Sequence, residues 1–73
     1  MKEVEKALAE DRARHIKYLY NMLELAETNS CIFFVYEFST QIEFAKKHYI
    51  HLYGEKTLKK WMKIIKQHKK DNN

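Results

Sequence analysis

His48 and His51 stand one helical turn apart, and Glu55 follows one turn later. That spacing could supply part of a metal site, because imidazole and carboxylate are both good ligands for zinc. Two histidines and one carboxylate without a second cluster describe a solvated helix face better than a metal centre. His15 and His68 are isolated. The single cysteine, Cys31, lies in the apolar run Cys-Ile-Phe-Phe-Val-Tyr-Glu-Phe, where a buried, inert thiol is expected. No carboxylate pair, glycine-rich phosphate loop or nucleophile elbow occurs. The expectation is therefore a non-enzymatic protein that needs no cofactor and no metal.

Two groups of residues suit binding better than catalysis. The first is aromatic. The chain has five tyrosines, four phenylalanines and one tryptophan in 73 residues. Phe33, Tyr36, Tyr18 and Phe44 fall away from the expected core positions. Exposed aromatic rings favour protein interfaces, since they join apolar area to low conformational entropy and, in tyrosine, a hydrogen-bonding tip. The second group is basic: Lys59, Lys60, Lys63, Lys66 and Lys70 near the C-terminus. Residues 1–28 carry five basic and six acidic groups, residues 29–54 are neutral, and residues 55–73 carry seven lysines against Glu55 and Asp71. All of the net charge of +4 therefore comes from the last quarter. Such a block suits phosphates or an acidic partner. It holds no arginine, the residue that reads guanine by a bidentate contact, so any nucleic-acid contact is expected to be weakly sequence-specific.

These residues must be positioned by few elements. Proline is absent and glycine occurs only at Gly54, which predicts long helices with few breaks. Residues 2–28 are rich in Ala, Leu, Glu, Lys and Arg. Ile16, Leu19, Leu23 and Ala26 form an apolar stripe with Leu8 and Tyr20 beside it, and Arg12 interrupts it toward the start. Glu10 and Arg14 form an i,i+4 pair. Thr28-Asn29-Ser30 breaks the helix: Asn29 is suited to the left-handed turn and Ser30 to capping the next helix. Over residues 31–53, Cys31, Val35, Phe38, Ile42, Ala45, Tyr49 and Leu52 repeat at four-three spacing, which predicts a second helix. Residues 55–70 form a third, with Leu58, Trp61, Met62 and Ile65 on its apolar face and lysines over the rest.

The fold expected is all-α: a long helical hairpin with a shorter basic helix beside it, a three-helix bundle spanning residues 1–70 as a single domain. Residues 71–73 are expected to form a disordered tail. The alternative places a strand at 31–38, where β-branched and aromatic residues cluster. The capping box of Thr40 and Glu43 then starts a helix, Gly54 ends it, and Thr57 caps another. That layout resembles the ribbon-helix-helix family over residues 31–70. The resemblance implies DNA reading from one face of the strand. Neither alternate set, Cys31/Phe33/Val35/Glu37 or Ile32/Phe34/Tyr36/Phe38, offers the basic side chain such reading requires.

A chain this short buries only about 60% of the surface its unfolded form exposes, so self-association is the cheapest further stabilisation and a homodimer is expected. No apolar run approaches the roughly 18 residues of a membrane span. The charged start and lone cysteine predict a cytoplasmic protein. The function expected is a regulatory or inhibitory module that binds a larger protein partner and occludes its surface. Compact binders of this kind are frequent in phages and mobile elements. The alternative is a nucleic-acid-binding accessory protein using the lysine-rich helix.

Overall fold

The computed structural model describes the backbone of residues 3–71 and the side chains of residues 3–66. The described residues form three helices: α1 (Glu3–Thr28), α2 (Ile32–Tyr53) and α3 (Glu55–Asp71). The all-helical hairpin with a third helix is as the sequence predicts. Residues 32–38 continue into α2 without interruption, so the alternative strand does not form. The four-three repeat through Val35, Phe38, Ile42 and Tyr49 lays one face along α1, and that packing outweighs local strand preference. The capping box of Thr40 goes unused. Its hydroxyl donates instead to the carbonyl of Tyr36 within the helix, at 2.9 Å.

The joints are short. After Thr28 the chain makes a Schellman turn: the amide of Cys31 donates to Ala26 at 2.9 Å and that of Ser30 to Glu27 at 3.2 Å. Ser30, not Asn29, takes the left-handed conformation, with φ of 56°. Asn29 instead donates its side-chain amide to the carbonyl of Leu25 at 2.8 Å. Cys31 occupies the N-cap of α2, with no side-chain capping bond, so the expected serine cap is absent. Gly54 alone joins α2 to α3. Its φ of 90° and ψ of 154° lie in a region essentially reserved for glycine. Its amide donates to Ile50 at 2.9 Å and its carbonyl accepts from Leu58 at 3.3 Å, so one residue closes α2 and opens α3. α3 thus starts before Thr57, and it runs through Asp71, a residue the sequence assigns to the tail; Asn72 and Asn73 lie outside the described residues.

The core gathers Ala9, Ala13, Ile16, Tyr49, Leu58 and Ile65, with Ala45, Tyr53, Trp61 and Met62 packed on it. Ala9 and Ala13 carry the α1 stripe past Arg12, so the stripe does not weaken there. Their small side chains let the ring of Tyr49 reach the α1 backbone, where its hydroxyl donates to the carbonyl of Ala9 at 2.9 Å. Four expected core or near-core positions lie outside: Leu8 and Tyr20 are exposed on α1, Leu52 is exposed at the end of α2, and Cys31 is exposed at the turn. The Cα radius of gyration is 13.3 Å, against about 11 Å for a compact domain of this length. The extents of 42 × 31 × 17 Å describe an elongated, thin molecule.

Candidate interaction surface

α2 turns its Val35–Tyr49 stripe toward α1, so positions roughly half a turn away face outward. Phe33 and Phe44 lie eleven residues apart, three helical turns or about 16 Å, on that outer side. Tyr36 sits beside them one turn from Phe33. The three are 69%, 70% and 71% exposed for Phe33, Phe44 and Tyr36. Around the first turns of α2, Ile32 and Phe34 are exposed as well. Phe33 meets Phe34 edge-on at 5.4 Å between ring centroids, and Phe34 meets Phe38 at 6.2 Å. Phe33, Phe34, Tyr36 and Phe44 are thus all more than half exposed on a single helix, a density of exposed aromatic rings that suits an interaction surface.

Of the four aromatic residues singled out in the sequence, the structure places Phe33, Tyr36 and Phe44 on one helix. Tyr18 is also exposed, but on α1, where its ring stacks on His15 at 6.3 Å. Ile32 and Phe34 were missed. The signal was present: five consecutive apolar residues, Ile32 to Tyr36, run right around a helix at 100° per residue, and one neighbouring helix covers only one side.

The basic face is less free than its composition implies. Lys59, Lys60, Lys63 and Lys66 are all exposed. Lys59 lies 3.7 Å from the carboxylate of Glu55, and Lys60 sits 6.0 Å over the ring of Trp61. Lys63 and Lys66 line a cleft of about 710 Å³ between α1 and α3, opposite Glu24 and Glu27 of α1. The side chain of Lys70 lies outside the described residues. Lys17 of α1 lines the same cleft, so three lysines and two glutamates gather there, with no ion pair between them among the described residues.

Titratable groups are dispersed. His48 and His51 are both exposed; His48 shares a small α1–α2 groove with Arg12 and His15. Among the described residues, no three His, Cys, Asp or Glu side chains come together as a metal site would require. Burial raises the pKa of the Tyr49 phenol above its usual value, and the neighbouring Tyr53 adds to the rise. Its role is structural. Among the described residues, no helix is long and apolar enough to cross a membrane. No known protein family, curated protein or solved structure compared with this chain matches it.

Proposed function

We propose that this chain is a regulatory or inhibitory protein-binding module that covers a surface of a larger protein with the outer face of α2. One observation carries the reading: Phe33, Tyr36 and Phe44 stand about 70% exposed along one helix side, where they contribute nothing to the core. Aromatic anchors in such a row typically dominate binding energy. Nucleic-acid binding through Lys59, Lys60, Lys63 and Lys66 is the second reading. Glu24, Glu27 and Glu55 beside these lysines weaken it.

Two variants separate the readings. Changing Phe33 and Tyr36 to alanine removes the anchors; changing the four lysines to glutamine removes the charge. Partner capture from host lysate, with and without nuclease, is expected to fail for the aromatic variant and survive for the glutamine variant. Salt-sensitive binding to generic duplex DNA or RNA that vanishes in the glutamine variant supports the second reading, with the salt slope falling by roughly 0.7–0.9 for each phosphate no longer neutralised.

A homodimer also fits the excess of surface. The chain exposes 6000 Å², whereas a compact monomer of this mass exposes about 4,800 Å².

A further inference from the structure

α1 has a second stripe. Val4, Leu8, Asp11, His15, Tyr18, Met22 and Leu25 repeat at four-three spacing, the period of a coiled-coil seam. This stripe is not the one that forms the core, which runs through Ala9, Ala13, Ile16, Leu19 and Ala26. Val4 is 70% exposed, Leu8 45%, Tyr18 54% and Leu25 53%. Asp11 and His15 are exposed, and Met22 is half-buried. The seam lies open apart from the half-buried Met22, and α2 borders it at His15 through the groove with Ala45 and His48.

We propose that the occupant of the seam is a second copy of α1, packed antiparallel about a two-fold axis near residue 13. The proposal rests on the homodimer reading above and names its surface. In this register Val4 of one copy faces Met22 of the other, Leu8 faces Tyr18, and Asp11 faces His15. Each layer occurs twice, because a two-fold interface uses the same patch on both copies. Apolar residues meet apolar ones, and the two polar layers at the centre pair an acid with a base.

The competing arrangements fail on charge. A parallel seam sets Asp11 against Asp11 and His15 against His15. An antiparallel seam shifted by one heptad sets Asp11 against Met22, which strips water from a carboxylate and returns no partner. A polar layer of this kind selects register and orientation at some expense in stability. Arg14 borders the two-fold axis and is held by Glu10 at 2.8 Å; Arg12, equally close to the axis, is exposed without an ion pair among the described residues and lines the α1–α2 groove with His48. The seam from Val4 to Met22 is about 27 Å long and one helix wide. An interface of that size belongs to the small, weak class, and the dimer is expected in the micromolar range.

The test is sedimentation equilibrium on the full chain, on Asp11→Lys, on His15→Glu, and on the two variants mixed. Both positions are exposed, so helicity by circular dichroism should be unchanged. Asp11→Lys alone places a lysine against His15; His15→Glu alone places a glutamate against Asp11. Each is expected to self-associate roughly tenfold or more weakly than the parent. The mixture pairs the introduced lysine with the introduced glutamate, and Asp11 with His15, and is expected to recover the parent's affinity as a heterodimer. A parent that stays monomeric at high micromolar concentration overturns the homodimer itself. A dimeric parent whose two charge variants associate unchanged places the dimer elsewhere and overturns only the seam. Weakened variants whose mixture shows no recovery overturn the register. If either variant loses helicity, Leu8→Cys mixed with Tyr18→Cys, both in a Cys31→Ser background, replaces the measurement. A disulfide in the mixture, and in neither variant alone, supports the register; bridging in the separate variants contradicts it.

Discussion

The hydroxyl of Tyr49 crosses from α2 to the backbone of α1, and it is the only described buried hydrogen bond between helices made by a side chain. Replacing Tyr49 by Phe keeps the ring and deletes this bond. A loss of about 1 kcal/mol in urea unfolding is expected. The raised pKa adds a pH signature. The folded protein holds the phenolic proton more tightly than the unfolded chain, whose value is near 10.0. This contribution is therefore complete below pH 10 and is lost as pH rises through the folded-state value. Tyr49→Phe is expected to flatten that alkaline loss. At the other joint, Ser30 bears the left-handed strain of the Schellman turn. Ser30→Gly should stabilise the fold by about 1 kcal/mol, read as a higher unfolding midpoint at unchanged slope. The sequence marks Thr28-Asn29-Ser30 as a break but does not say which residue turns left-handed. That is decided by where the last α1 carbonyls find their amides, and Ala26 and Glu27 find theirs at Cys31 and Ser30.

At the scale of elements, the periodicity of residues 31–53 is the feature that makes α2 legible. A repeat sustained through Val35, Phe38, Ile42 and Tyr49 has no use on a strand. The ends of the same repeat mislead, because Cys31 and Leu52 lie where the neighbouring helices no longer cover them. Ala9 and Ala13 were illegible for a different reason. Alanine is a weak hydrophobic signal, and its value here is its size opposite Tyr49. The α3 face was legible throughout, since Leu58 and Ile65 are buried with Trp61 and Met62 beside them. Gly54 punctuates α2 and α3 in the sequence, and its dihedrals explain why. A Cβ there would meet nothing within 4 Å, so the cost of a side chain is wholly in the backbone. Gly54→Ala is expected to destabilise the chain by about 1–3 kcal/mol, measurable as a drop in thermal midpoint with helicity retained.

For the whole molecule, residue counts foretell the surplus of aromatic surface, but only the packing of three helices says where it lies. The core sits around the first half of α1, the second half of α2 and the face of α3. The aromatic run Ile32–Tyr36 is at the far end of the hairpin, beyond the reach of α1 alone. Because Phe33 and Tyr36 are so exposed, their removal should change stability by no more than about 0.5 kcal/mol each. The paired-alanine variant therefore reports on binding and not on folding, and chemical denaturation of the free variant checks this directly. Charge behaves in the opposite way. The block of +5 in residues 55–73 is plain in the sequence. The carboxylates of Glu24 and Glu27, some forty residues earlier, reach the same cleft only through the fold.

The one-residue joint at Gly54 makes α3 a lever arm. Seventeen residues of helix extend about 25 Å from that pivot. A rotation of about 10° there sweeps the far end through about 4 Å, more than the thickness of an aromatic ring. Leu58, near the pivot, travels little and holds its place in the core with Ile16, whereas Lys63 and Lys66 travel far. Ile65, farther along the arm, is buried in the same core, so the gap between α1 and α3 is fixed at two points, like a caliper with both a hinge and a locking screw.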